Sequence, residues 1–467
     1  SNCSRLLTST THSGTVRRLE ALCFASEDGS MVEPGEVAAW RAALADAELL
    51  RAAAACDARD VAAVARLRKL CDDPVAVRAA LSIVVARKKA TRKFGDAAAG
   101  LFADVEGVEQ ATSLAAARPK MMRFARALEA GMGGPVLDLG CGVGADAMAL
   151  QRVGVADVLA VDLDPVRAAM ASHNARVPSV VADLNDVADG GAIDFRGGLI
   201  HLDPARRTRL AGESKALRTF ALDELEPGPT TLRRLIDGSA GAAVKLSPGM
   251  EVGDVREALG EGEACFVSEP AGLGQGEARK LTQATWFTGA LRERPAVEDE
   301  AARRAVCLRR DGGWEQVVGE PVDARELDVS ALRPWLVEAD PAVERAGLLH
   351  RLGMATLHPG LGLLTCDVLP DDAIAGLGRA YEVVADMPWR LAKVKRWLEE
   401  RNAVVEAVKT RGRACDPDQV MRALRLGTTN SAAHPDAALV VFVLRLGTPV
   451  VAIVARPVRL TPDVDGA

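Results

Sequence analysis

The chain has 467 residues, a formal net charge of −6 and an apolar fraction of 49%. That is enough apolar material for two or three domains that each bury a core, and the negative balance disfavours a protein that coats nucleic acid without selectivity. No apolar stretch approaches the roughly 20 residues that span a bilayer, and the first thirty residues lack the basic-then-apolar layout of a secretory signal, so a cytoplasmic protein is expected.

From about 15 to 130 the text is rich in Ala and Arg with helical spacing. Val37, Trp40, Leu44, Leu49 and Leu50 fall near one stripe, and Val61, Val64, Leu67 and Leu70 near another. Pro34 and Asp60 stand where helices start. The expectation is a bundle of about five helices over 1–130, the last around 113–130 in "SLAAARPKMMRFARALEA".

Between 131 and 295 short β-rich runs alternate with helical stretches: "PVLDLG", "DVLAVD", "PSVVAD", "GGLIHLD", "GAAVKLS", "EACFVSE" and "TQATWFTGAL". Seven such runs separated by helices predict a doubly wound α/β sheet of parallel strands with crossover helices. From 296 to the end a smaller α/β set follows. Its strands are expected at "AVCLRR" and "WEQVVG", joined through Asp311-Gly312-Gly313, and at 363–369, 380–385, 403–409, 438–446 and 449–455. Helices fit 341–352, 390–401 and 416–426, and the last two strands, joined by Gly447-Thr448, read as a hairpin.

Nine cysteines stand singly at 3, 23, 56, 71, 141, 265, 307, 366 and 415. Without a C-x-x-C pair or matching His spacing they predict no metal site, and the odd count argues against a disulfide framework. Bases are clustered despite the acidic balance: "ARKKATRK" at 86–93, "ARRTR" at 205–209, and eight bases against three acids over 389–413. A solvated helix face accounts for any one such run; three of them keep an anionic ligand in view.

The stretch that carries chemistry is "VLDLGCGVGADA" at 136–147. A glycine-rich turn between a strand and its helix lets backbone approach a ligand closely and aims N–H groups at it. Gly140-Cys141-Gly142-Val143-Gly144-Ala145, with Asp162 about 20 residues on, also satisfies a loose dinucleotide fingerprint, so a dehydrogenase is one reading. The acids at successive strand ends, Asp138, Asp162, Asp183 and Asp203, separate the alternatives. They suit a cofactor carrying an ammonium and a sulfonium and would repel a pyrophosphate.

With "VLAVDLDPVRAAMASHNA", "VVADLND" and "HLDPARR", this stretch resembles the Rossmann-like, class I S-adenosylmethionine-dependent methyltransferases. The resemblance implies that Asp138, Gly140, Gly142 and Gly144 hold the methionine part, Asp162 the ribose and Asp183 the adenine, with Cys141, Leu163 and Leu184 also contacting the cofactor. It extends, through "EQATSLAAARPKMMRFA", "VKLSPG", "WLVEADPAVERAGLLHRLG" and "VKTRGRACDPDQVMRALR", to a bacterial subgroup with a helical N-terminal region and a C-terminal THUMP-like domain. THUMP domains bind tRNA, which implies an RNA acceptor by analogy.

Asp203-Pro204 is assigned to the acceptor end, with Arg206, Arg207 and Lys245 holding an anionic substrate. The residues after Asp203 are Pro-Ala-Arg, without the second proline and aromatic of enzymes that methylate base amines, and "VKLSPG" offers Ser247 where carbon-5 methylation needs a cysteine. His201, mid-strand in "LIHLD", reads as a satisfied core histidine, and Trp389 and Trp397 as residues that pack a helix onto the C-terminal sheet. Two rival readings stay open: a small-molecule or protein acceptor under a helical lid, and a non-catalytic module that binds cofactor or RNA.

Overall fold

The computed structural model describes residues 24–25, 31–32, 35–56, 61–191, 193–206, 222–271, 279–293, 302–370, 374–424 and 438–458. The chain divides into two compact units, Ser1–Ala264 with Gln283–Glu300, and Cys265–Thr282 with Ala301–Ala467. Pro34 and Asp60, read above as helix starts, lie outside the described residues.

The first unit begins with helices α1 (Gly35–Ala45), α2 (Ala47–Ala54), α3 (Val61–Leu67), α4 (Pro74–Phe94), α5 (Val105–Gln110) and α6 (Leu114–Glu129). Ala39, Ala43, Leu49, Ala53 and Leu67 pack on Ala76, Val77, Ala80 and Val84 of α4, so small alanines let these helices approach closely. Leu70, placed on a buried stripe by its spacing, is instead exposed. The Ser113 hydroxyl accepts the Ala116 N–H at 3.1 Å and starts α6, where the sequence places its last N-terminal helix.

The sheet follows: β1 (Val136–Leu139), β2 (Val158–Asp162), β3 (Ser179–Val181), β4 (Leu199–Leu202), β5 (Gly241–Leu246), β6 (Glu263–Pro270), β7 (Arg279–Phe287), β8 (Arg303–Leu308) and β9 (Trp314–Gly319). Its hydrogen-bonded order is β9-β8-β6-β7-β5-β4-β1-β2-β3. The expected seven strands are therefore nine, because the hairpin 303–319 continues the sheet beyond β6; its six-residue antiparallel register extends an edge that would otherwise be unpaired. Strands β3-β2-β1-β4-β5 are parallel and β7 is antiparallel to β5. The chain builds outward from β1 to β3 and then returns to β4, so the strand order reverses between β1 and β4. In open α/β sheets the ligand crevice lies there, at the carboxyl ends of the strands.

Helices α7 (Ala145–Arg152), α8 (Pro165–Ala175), α9 (Leu184–Ala188), α10 (Pro229–Gly238) and α11 (Val252–Leu259) make the crossovers. Helix α6 is fixed to this unit by Arg123, 4% exposed, which donates to both oxygens of Glu263 at 2.8 and 2.9 Å and stacks on the Phe287 ring. Arg123→Met would leave the buried Glu263 carboxylate without its cation and is expected to lower stability by about 3–5 kcal/mol in denaturant titration. Adding Glu263→Leu should restore much of that loss, because the penalty arises from the unpaired charge.

The second unit, which by these bounds also includes β8, β9 and residues 265–270 of β6, carries β10 (Trp335–Ala339), β11 (Ala355–Thr356), β12 (Leu363–Cys366), β13 (Gly378–Pro388), β14 (Val404–Arg411), β15 (Ala438–Arg445) and β16 (Val450–Val458), ordered β11-β12-β10-β13-β16-β15-β14. Helices α12 (Pro341–Ala346), α13 (Leu391–Glu399) and α14 (Pro417–Leu424) accompany them. Along β15 alternate residues serve opposite faces: Leu439, Val441 and Val443 pack with Val394, Leu398, Val420 and Leu424 of the helices, and Val440, Phe442 and Leu444 with Leu336, Leu363 and Tyr381. Trp389 and Trp397 join the helix-side cluster, as the sequence suggests. Strand β10 was not anticipated, because its five residues run directly into the helix start Asp340-Pro341.

Candidate functional site

The residues of the glycine turn sit at the reversal point of the sheet. Gly140, Gly142 and Gly144 all have positive φ, at 78°, 53° and 80°. Two of them are also hemmed in by backbone: a Cβ on Gly140 would fall 2.6 Å from the Asp203 carbonyl oxygen, and one on Gly144 2.6 Å from the Ala171 Cα. At Gly142 a Cβ would meet nothing within 4 Å among the described residues. Packing thus explains the outer glycines, whereas the middle one keeps open space at the turn.

Asp138 lies at the tip of β1 and is fully buried. Its Oδ1 is 2.8 Å from His201 Nδ1 of the neighbouring strand β4, and His201 Nε2 is 2.7 Å from Lys120 Nζ on α6. A lysine ammonium offers only donors, so Nε2 accepts, Nδ1 carries the proton, and His201 donates to Asp138. Lys120 also pairs with Asp146 in the first turn of α7, at 2.8 Å. Burial alone would raise the Asp146 pKa, but the Lys120 ammonium above all, with Lys245, outweighs it and holds the carboxyl well below the usual range.

Asp203 and Lys245 stand side by side at the ends of β4 and β5, where Leu202 pairs with Val244, and Lys245 Nζ donates to Asp203 Oδ2 at 2.6 Å. Burial favours the neutral amine of Lys245, yet Asp203, Asp146 and Asp138 prevail and keep its pKa above the ordinary value. The whole constellation holds two lysines against three carboxylates. With His201 neutral, one net negative charge is left, and Asp138 Oδ2 is buried without a hydrogen-bond partner among the described residues. That orphaned oxygen and the surplus charge fit a ligand's ammonium and would oppose a phosphate.

The other sequence-assigned residues are placed as follows. Asp162, at the end of β2, accepts from Gly142 N at 2.8 Å and Asp164 N at 3.0 Å, so it faces the turn from the next strand. Burial raises its pKa against those two hydrogen bonds. Leu163 beside it is 66% exposed, an apolar surface open to a ligand ring. Asp183 accepts from the backbone and side-chain nitrogens of Asn185 and starts α9, and Leu184 is buried. Cys141 is buried with its thiol pKa pushed up by that burial, which suits a small turn residue and no nucleophile. Pro204 is buried, Ser247 accepts from Gly249 N within its own turn, and Arg206 lies in a two-residue strand pair with Leu225–Glu226. Arg207 lies outside the described residues.

The basic run 86–93 serves the fold more than a ligand. Lys93 donates to the carbonyls of Val108, Glu109 and Ala111, Arg87 to that of Leu101, and Lys89 pairs with Glu109. Lys120 and Asp146 were not anticipated as site residues. Lys120 shares the buried face of α6 with Ala116, Ala117, Met121, Phe124 and Ala127, so a charged residue on an apolar helical stripe is the signal in the sequence.

Among the described residues no group of three or more His, Cys, Asp or Glu is arranged to hold a metal, and no helix is long and apolar enough to cross a membrane. Two family matches are found: THUMP domain-like over residues 378–457, and ribosomal protein L11 methyltransferase (PrmA) over residues 125–193. No curated protein matches the chain. Among solved structures, a proposed methyltransferase from Porphyromonas gingivalis W83 aligns at 16% identity over 91% of this chain and 98% of its own, with a TM-score of 0.63. Magnesium protoporphyrin IX methyltransferase from Synechocystis PCC 6803, solved with bound S-adenosylmethionine, aligns at 16% identity over 37% of this chain and 80% of its own, with a TM-score of 0.24. A TehB-like methyltransferase from Corynebacterium glutamicum aligns at 24% identity over 36% and 87%, with a TM-score of 0.22. The chain has a class I methyltransferase fold with a THUMP-like domain at its C-terminal end.

Proposed function

We propose that the chain is an S-adenosylmethionine-dependent methyltransferase acting on a structured RNA. One observation carries the cofactor: the orphaned oxygen of Asp138, buried at the tip of β1 beside a glycine turn whose middle position is open. Asp138 would hold the ammonium, the turn the methionine backbone, Asp162 the ribose and Leu163 one face of the base. Bound there, the cofactor supplies an activated methyl group. The protein's share is alignment, which supplies several kcal/mol of the barrier in such displacements.

The PrmA match ends at residue 193, before Asp203, so it supports the cofactor half of the site and leaves the acceptor open. RNA is supported by the THUMP-like match and by Arg390, Lys393 and Arg396, exposed on or beside α13 within it. Arg87, Lys89 and Lys93 of the run at 86–93 have internal partners, so the weight of this reading rests on the C-terminal unit.

The test is transfer of radiolabelled methyl from S-adenosylmethionine to fractionated RNA from cells lacking this protein. Label is expected in one RNA fraction with wild type and not with Asp203→Ala. Label confined to protein or small-molecule fractions would overturn the RNA assignment.

A further inference from the structure

We infer that the acceptor is a hydroxyl oxygen, in RNA the ribose 2′-hydroxyl, recognised by Asp203 and Lys245 acting as a pair. The inference rests on the function proposed above. It follows from what the two side chains present together.

Lys245 Nζ uses one of its three N–H donors on Asp203 Oδ2. Among the described residues its other two donors make no hydrogen bond, and neither does Asp203 Oδ1. The pair is half open, with side chains 17% and 31% exposed. It stands beside the glycine turn, since the Asp203 carbonyl lies against Gly140. An acceptor atom arriving there meets a hydrogen-bond acceptor, Asp203 Oδ1, and a donor, Lys245 Nζ, next to each other.

Only one class of RNA nucleophile matches both. The 2′-hydroxyl donates and accepts, so one oxygen can donate a hydrogen bond to Asp203 Oδ1 and accept one from Lys245 Nζ. Exocyclic amines of adenine, cytosine and guanine offer only donors and would face the lysine N–H groups head on. A ring nitrogen carries either a proton, as guanine N1 and uracil N3 do, or a lone pair, and a carbonyl oxygen only lone pairs, so none of these atoms by itself satisfies both the carboxylate and the ammonium. Charge points the same way. Attack by a neutral amine builds positive charge on nitrogen, which a cation on the pair's open side opposes, whereas a hydroxyl oxygen losing its proton gains negative character that Lys245 stabilises.

The step balances without another reactant. The hydroxyl oxygen forms its bond to the methyl carbon as the carbon–sulfur bond breaks, and that electron pair stays on sulfur as a neutral thioether. The hydroxyl proton passes to Asp203 and then to water. Lys245 keeps its proton throughout, consistent with the neighbouring acids that hold its pKa up.

The experiment is methyl transfer to RNA with wild-type protein, followed by alkaline hydrolysis and nucleoside analysis. A 2′-O-methyl group blocks cleavage of the adjoining phosphodiester, so label is expected in alkali-resistant dinucleotides and, after enzymatic digestion, in a ribose-methylated nucleoside. Label on a base atom would overturn this inference and leave the methyltransferase reading standing. Absence of label from every RNA fraction would overturn the RNA reading first. In the same assay Lys245→Met should bind S-adenosylmethionine within about twofold of wild type and lose about 100-fold in kcat, with Lys245→Arg recovering a large part. Equal rates for Lys245→Met and wild type would contradict the lysine's role.

Discussion

Gly142→Ala should fold and fail to bind S-adenosylmethionine, whereas Gly140→Ala and Gly144→Ala should lose stability outright. All three glycines have positive φ, where an alanine costs about 1–2 kcal/mol. At Gly140 and Gly144 the added Cβ also lands 2.6 Å from backbone atoms that cannot turn aside, and overpacking of this kind adds about 1–3 kcal/mol. At Gly142 the space is open, so the methyl group costs the fold only the backbone term but occupies the ligand's approach. Thermal unfolding and calorimetry on the three variants separate the cases. A Gly142→Ala protein that binds the cofactor as wild type does would mean that the open side of the turn faces no ligand.

Lys120→Met is expected to lower stability by about 3–5 kcal/mol at neutral pH, the usual cost of stranding a buried partner charge. Lys120 is 3% exposed and Asp146 5%. Without the ammonium, Asp146 is a nearly uncompensated buried anion and His201 loses the donor that fixes its tautomer. The sign of the pH dependence follows. In wild type the Asp146 pKa is depressed, so its stabilising contribution is full above the unfolded carboxyl value near 4 and fades as pH falls below it. In the variant burial dominates and raises that pKa, so protonation relieves the penalty. The stability gap between the two proteins should therefore narrow as pH falls from 7 toward 4. A gap that is constant over that range would show that lost packing, and not the stranded carboxylate, carries the effect. Nitrogen chemical shifts of His201 provide a second reading in the ligand-free protein: Nδ1-protonated in wild type, and mixed between tautomers in Lys120→Met.

What could be read before the fold was known divides along physical lines. The glycine turn and the strand-end acids were legible because close backbone approach and charge at a strand tip constrain residue type locally. Strand β15 was legible as a continuous apolar run, since both of its faces are buried. The pairing of Lys245 with Asp203 was not, because it depends on β4 and β5 being neighbours although 42 residues separate the two side chains. Lys120 is the same case over 81 residues: its spacing marks a buried position, but only the fold shows that His201 and Asp146 wait there. The basic run at 86–93 misled because charge clustering does not show which bases cap a neighbouring helix.

The measurement that bears most directly on the central claim is calorimetric binding of S-adenosylmethionine and of nicotinamide dinucleotide to wild type and to Asp138→Asn. Wild type should bind S-adenosylmethionine and not the dinucleotide. The Asn variant, lacking the charge that meets the ammonium, should bind about 10- to 100-fold more weakly, the value of one charge-assisted hydrogen bond. Preference for the dinucleotide, or an Asp138→Asn protein that binds S-adenosylmethionine as tightly as wild type, would contradict the site assigned to this turn.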